Sequence, residues 1–150
     1  MSKPRDFYQI SLKAILRNTK GQVLILKALG HGTFAGFYDL PGGRIDEDEF
    51  STSLAEVLKR EVIEETGLTN FEINENPVAV GRHCIKKEHA KSEKDIHVLY
   101  VFYEVDLKEY AVKISAEHEG FEWIDLESAD LEKYFTSGIL DGLKMYLLKK

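Results

Sequence analysis

Glu61, Glu64 and Glu65 lie in the run Arg60-Glu61-Val62-Ile63-Glu64-Glu65-Thr66-Gly67-Leu68. At 3.6 residues per turn, positions 54, 58, 61 and 65 fall on one row of a helix. That row reads Leu54, Leu58, Glu61, Glu65, so it begins as a core stripe and turns acidic halfway. Glu64 lies beside Glu61, and the three carboxylates share an arc of roughly 100°. Val62 flanks the row and should pack inward. Such a cluster is unfavourable alone. Like charges at i,i+4 repel by about a few tenths of a kcal/mol when exposed. Unpaired, partly buried charges cost several kcal/mol more, and the C-terminal end of a helix is the negative end of its dipole. A bound divalent cation relieves all three penalties. Clustered carboxylate oxygens suit Mg²⁺ or Mn²⁺ rather than Zn²⁺, and this helix offers no His or Cys. The plainer reading is a solvated acidic face compensated by Lys59 and Arg60. Two features favour the cation: the acids continue an apolar row, and a glycine-rich turn, Leu40-Pro41-Gly42-Gly43, lies upstream where backbone can approach a ligand closely.

The elements that must position these groups are legible in outline. Residues 54–66 form the helix. Ser53 with Glu56 three residues on makes a capping-box start, and Gly67 is placed to end it. Residues 7–17 and 22–28 read as two strands joined by a turn at 18–21, a candidate hairpin. Residues 29–36 hold three glycines and read as a mobile loop. Residues 78–86 and 96–106 are two further strands, with the charged stretch 87–95 as an exposed hairpin loop between them. Phe121-Glu122-Trp123-Ile124 forms a short strand, and 127–148 carries a helical pattern broken near Gly138. The sum is one domain over residues 1–150, an α+β fold with a mixed sheet and helices packed on it.

Bulk properties narrow the function classes. The 150 residues are 43% apolar and 31% charged, with a net charge of −6. An acidic chain is poorly suited to gripping a nucleic-acid polymer, though a small anionic substrate can bind where a cation offsets the field. The single cysteine, Cys84, excludes an intrachain disulfide and reads as a small buried residue rather than a nucleophile. No apolar run approaches about 18 residues, so no membrane span is expected. No secretory signal follows Met1, and the expected location is the cytoplasm.

With these residues in view, the chain resembles the Nudix hydrolases. Their signature is Gly, five residues, Glu, seven residues, then Arg-Glu-apolar-x-Glu-Glu-x-Gly-apolar. Its second half is complete here from Arg60 to Leu68, and Leu40-Pro41-Gly42-Gly43 matches the turn that opens it. Gly43 and Glu49 keep the expected spacing, but ten residues separate Glu49 from Arg60. Ser53 stands at the family's normal distance before Arg60, which places the extra residues in the loop ahead of the helix. Glu49 is accordingly set aside as a site residue, with Asp46, Glu47 and Asp48 as substitutes. Tyr38 stands where the family often has Trp.

The resemblance implies an α/β/α sandwich and a Mg²⁺-dependent pyrophosphohydrolase, with Mn²⁺ as a possible substitute, attacking a diphosphate linkage of a small nucleotide. Carried over by position, Glu61, Glu64 and Glu65 are metal ligands, with the Gly42 carbonyl beside them. Arg60 orients a carboxylate. Glu61 is one candidate general base, and Glu117 and Glu119, in Ala-Glu-His-Glu-Gly, sit where some members place a late acid. Phe34, Phe37, Tyr38 and Tyr8 are candidates to stack a base; Arg82, His83, Lys86 and Lys87 are candidates to meet phosphate, their plainer reading being exposed surface. The partners expected are a nucleotide substrate and no polymer or membrane, with the chain a monomer or homodimer. Two other classes compete. A Nudix-fold isomerase would need a substrate-facing Cys and His-rich metal ligands, and a silent nucleotide-binding module would usually lose signature acids. No proline stands where the ADP-ribose subfamily carries one, the neighbourhood being Gly81-Arg82-His83, and no coenzyme-A or NADH signature is present. Nucleoside triphosphates lead by elimination.

Overall fold

β1 (Tyr8–Arg17) is buried on both faces from Ser11 to Leu16, as befits a strand with helices on each side. Leu12, Ala14 and Leu16 face one core; Ser11, Lys13 and Ile15 alternate to the other side. The computed structural model describes residues 2–32, 34–108 and 112–149. In it β1 runs parallel to β7 (Ile96–Leu107) over its whole length, from Tyr8 opposite His97 to Arg17 opposite Asp106. The other edge of β7 takes β6 (Ala79–Ile85) and β5 (Phe71–Ile73), both antiparallel.

The expected hairpin opens almost at once. Asn18 closes its turn by accepting the Lys20 and Gln22 N–H groups at 3.0 and 2.9 Å. β1 and β2 (Val23–Ala28) then pair at Arg17 and Val23 and part. The chain Tyr38–Arg44 is wedged between them. Its first half, β3 (Tyr38–Asp39), pairs with β2, and its second half, β4 (Gly42–Arg44), pairs with β1. β8 (His118–Ile124) covers the far edge of β2. The splay creates the opening in which the site lies.

α1 (Leu54–Thr66) begins and ends as the sequence indicates. Ser53 Oγ accepts the Glu56 N–H at 3.2 Å, and Gly67, at φ 71°, donates its N–H to Ile63. Val57, Leu58 and Val62 are buried against Leu12, Leu16, Leu24 and Leu26. The row differs at its start, where Leu54 is 43% exposed. The core stripe therefore begins at Leu58.

On the opposite face lie α3 (Leu131–Tyr134) and α4 (Ser137–Leu148). The break falls at Phe135–Thr136, just ahead of Gly138. Gly138 sits in the first turn of α4, where a Cβ would stand 2.4 Å from the Arg82 carbonyl oxygen. It is there for close approach, as is Gly142 over the Phe102 ring. Within the expected 87–95 loop, Lys87–Ala90 form one helical turn, α2, and Asp95 accepts the Lys87 N–H at 2.9 Å. β8 starts three residues before the expected strand, which matters because its start feeds the site. The fold is thus α+β with a mixed sheet. Among the described residues, no helix is long and apolar enough to cross a membrane.

Candidate active site

The glycine turn and the acidic half of α1 meet. Gly42 crosses β1 so closely that a Cβ would stand 1.9 Å from the Leu12 carbonyl oxygen, and its φ of 147° is glycine territory. Its N–H donates to Glu65 Oε1 at 2.7 Å. A Cβ on Gly43 would fall 2.5 Å from the Glu61 carboxylate. Two glycines in sequence therefore let bare backbone face two carboxylates.

The three acids are not equivalent. Glu65 is 7% exposed at its side chain, whereas Glu64 is 57% exposed. Burial pushes Glu65 up to about 8; Lys13 and the Gly42 N–H oppose the shift, while Asp39 and a hydrogen bond with Glu117 add to it. Burial also raises Glu61, against the pull of Arg60 and with the push of Glu64 and Glu117. Glu117 is thereby placed beside both ligand candidates. Glu119 is not: its carboxylate accepts the Gly30 N–H at 2.6 Å.

Arg60 organises the outer side of the cluster. It holds Glu49 through two bonds, Nε to Oε2 at 3.0 Å and Nη2 to Oε1 at 2.9 Å. It also reaches Glu61 and Glu64, each at 3.2 Å. Burial pulls its pKa down, and the three carboxylates more than offset that and raise it. Glu49, set aside on spacing, is therefore Arg60's main partner. The extra residues do lie between it and Ser53, where Phe50 is 96% exposed, and the chain returns Glu49 to the helix through a short 3₁₀ turn, Glu47–Glu49. Asp46 and Glu49 cap that turn, and Asp46 stands 3.8 Å from Arg60.

A cavity of about 310 Å³ opens beside these groups, lined by Gly42, Gly43, Glu65, Glu117 and His118 and by Ser11, Lys13, Asp39, Tyr100 and Phe34. The sequence reading missed Lys13, Asp39 and His118. Lys13 Nζ, buried, donates to Asp39 Oδ2 at 3.0 Å, where Asp39 is partly buried, and Asp39 Oδ1 accepts the Leu40 N–H at 2.7 Å. The available signal was Lys13 itself, a cation interrupting the apolar run Leu12-Lys13-Ala14-Ile15. His118 lies 3.9 Å from Glu65 and is held below the usual imidazole value by burial.

Of the aromatic candidates, Phe34 reaches the cavity. It stacks on His83 at 4.8 Å, and His83 lies 6.2 Å from Tyr100. Tyr38 bonds to Glu122 and packs on Tyr134, and Tyr8 lies against Arg82 and His97. Phe37 is half-buried outside the cavity lining. Arg82, His83, Lys86 and Lys87 likewise do not line it. His83 is instead engaged with Ser137 at 2.6 Å. Cys84 is a half-buried free thiol away from the cavity.

The residues fit a hard divalent cation in donor type. Glu65 supplies a buried carboxylate and Glu61 a partly buried one, the ionised form of each disfavoured by burial, with glycine backbone alongside. Among the described residues, no three His, Cys, Asp or Glu side chains are already gathered as a metal cage; Glu64 turns toward Arg60.

The NUDIX domain profile matches residues 7–141. The chain belongs to the Nudix family. Its fold is shared with solved Nudix proteins. The MutT protein of Methanosarcina mazei Go1 is 28% identical over 98% of both chains, with a TM-score of 0.70. An ADP-ribose pyrophosphatase of Streptococcus suis is 20% identical, covering 95% of this chain and 92% of that one, TM-score 0.63. The NUDIX domain of Shewanella oneidensis NrtR, solved with ADP ribose, is 20% identical, covering 95% and 86%, TM-score 0.64. The last two likenesses speak for the fold alone. No curated protein matches the sequence. As a Nudix hydrolase, this chain is a pyrophosphohydrolase acting on an acid anhydride.

Proposed function

We propose that this Nudix protein is a Mg²⁺-dependent hydrolase that cleaves a diphosphate linkage in a nucleoside triphosphate, or in a nucleoside diphosphate joined to another group. The observation that carries the reading is the meeting of Glu61 and Glu65 with the bare backbone of Gly42 and Gly43 beside the cavity. Glu61, Glu64 and Glu65 would hold the cation, with the Gly42 carbonyl as a further ligand and Mn²⁺ as a substitute. When bound, the cation neutralises phosphate oxygens and lowers the pKa of the attacking water.

The chain's own residues do the rest. Arg60 fixes Glu61 and Glu64 by charge-assisted bonds and anchors them to Glu49. Water attacks phosphorus, the bridging P–O bond breaks toward the leaving phosphate, and a carboxylate takes the proton. Glu117 is the better placed of the candidates, since Glu61 is committed to Arg60. Glu119 is the lesser candidate, since its carboxylate is engaged by the Gly30 N–H. Lys13 and Asp39 line the cavity as a paired donor and acceptor for the substrate. Free small nucleotides in the cytoplasm are the proposed setting, with the chain a monomer or homodimer. The net charge of −6 is in keeping with a substrate drawn in by a cation rather than a polymer gripped by the surface.

The test is turnover of a panel of ribo- and deoxynucleoside triphosphates and X-linked nucleoside diphosphates with Mg²⁺, read as released phosphate or pyrophosphate, with Glu64→Gln and Glu65→Gln alongside. The expected result is turnover of at least one compound, reduced in both variants. Full activity in Glu65→Gln would remove the metal-ligand assignment. Tight nucleotide binding with no turnover anywhere would make the chain a binding module.

A further inference from the structure

β8 begins with an irregular register. Gly120 lies opposite Lys27 and His118 opposite Ala28, so Glu119 has no cross-strand partner. A bulge of this kind re-aims the side chains around it, and bulges concentrate beside active sites. Here Glu119 turns to the Gly30 N–H, while the adjacent Glu117 and His118 both line the cavity. Glu117 belongs to the turn ahead of β8, and His118 is the first residue of the strand.

The His118 side chain is 8% exposed. Among the described residues, its Nδ1 is a buried atom without a hydrogen-bond partner. Such a group costs about 1–3 kcal/mol when left unpaired, and native proteins rarely leave one. Glu65 Oε2 stands 3.9 Å from it, and the other Glu65 oxygen already accepts the Gly42 N–H. Asp39, Lys13 and Glu117 also face the imidazole, but Asp39 is engaged by Lys13 and the Leu40 N–H.

From this geometry we infer that His118 is a positioning residue for Glu65: its Nδ1–H closes onto Oε2 when Glu65 holds a divalent cation. The Gly42 N–H and His118 then grip one oxygen each and fix the plane of the carboxylate. Each oxygen keeps a lone pair for the metal. The inference rests on the reading of Glu65 as a metal ligand. Hydrogen-bond partners behind metal ligands set ligand orientation, and losing one typically costs 10–100-fold in metal affinity or activity.

The experiment is Mn²⁺ binding to the substrate-free protein, followed by the electron paramagnetic resonance signal of free Mn²⁺. The proteins compared are the wild type, Glu65→Gln, His118→Phe, His118→Gln and His118→Asn. An asparagine amide nitrogen falls near the place of Nδ1, and a glutamine amide nitrogen near that of Nε2. The expected result is a loss of about 10–100-fold in Mn²⁺ affinity for His118→Phe and His118→Gln, with most of it recovered in His118→Asn. In turnover assays, raising the metal concentration should restore His118→Phe, which a packing defect would not allow. Unfolding midpoints in chelator identify any variant that has lost its fold, and the asparagine–glutamine contrast then decides. Wild-type affinity in His118→Phe, or no advantage of asparagine over glutamine, overturns the inference alone. Undiminished Mn²⁺ binding in Glu65→Gln, or none in the wild type, overturns the metal reading and this inference with it.

Discussion

Along α4, glycines bring backbone onto backbone. A Cβ on Gly81 of β6 would stand 2.0 Å from the Gly138 carbonyl oxygen, and one on Gly142 would stand 2.1 Å from the Phe102 ring. Along α1, Val57, Leu58 and Val62 fill the core, and then the last turn gives its inward positions to Glu61 and Glu65. Each buried apolar side chain there contributes about 1.5–3 kcal/mol, which offsets a desolvated carboxylate of several kcal/mol. The difference is instructive. The helix α4 is packed tightly onto the sheet and supplies none of the cavity's lining residues. The end of α1 is held below its attainable stability, and the cavity lies there.

That contrast can be broken from either side. The largest stability effect should come from Gly81→Ala, which drives a methyl group into backbone. A loss of about 3 kcal/mol is expected, read as a lowered urea midpoint, with activity per folded molecule little changed. Gly43→Ala should do the reverse. Its Cβ would meet the Glu61 carboxylate, so kcat/KM should fall by about 100-fold for a misplaced catalytic group while the urea midpoint moves far less. An equal effect of both variants on both measurements would remove the division between the two faces.

A smaller effect concerns His83, which joins the two regions through Phe34 and Ser137. Burial holds it below the usual imidazole value, against the charge of Asp39. A depressed imidazole binds its proton more readily unfolded than folded. Its contribution is therefore present above about pH 6.5 and is lost as pH falls through the depressed value. His83→Phe should flatten the fall in melting temperature between pH 7 and pH 5, and an unchanged slope would deny the burial.

Much of this arrangement was legible in the sequence because it is local. Ser53 and Gly67 bound α1 by chemistry within a few residues, and the acid row follows from helical period. Glu49 was misjudged because a count of residues cannot see that Phe50 and its neighbours loop outward while the chain on either side stays in register. Lys13 and Asp39 are 26 positions apart, and only the wedge of β3 and β4 between β1 and β2 brings them together. His118 opens β8 beside a one-residue bulge, which leaves no periodic trace, and Glu119, left unpaired by that bulge, turns to Gly30. The helix break near Gly138 was legible, but the glycine's own use, admitting close contact with β6, was not, because glycine's two uses look alike in sequence.

On the proposed reading, Glu65 costs the metal-free protein stability in return for holding a cation. Burial raises its carboxyl to about 8, so the folded state is penalised increasingly as pH rises from the ordinary carboxylate range through that value. The direct measurement is the melting temperature at pH 8.5, in chelator and in Mg²⁺, for the wild type and Glu65→Gln. In chelator the variant should melt about 5 °C or more above the wild type, since a shift of this size is worth a few kcal/mol. Mg²⁺ should raise the wild type and leave the variant in place. A variant that melts below the wild type in chelator, or that gains as much from Mg²⁺, would rule out Glu65 as a buried cation ligand.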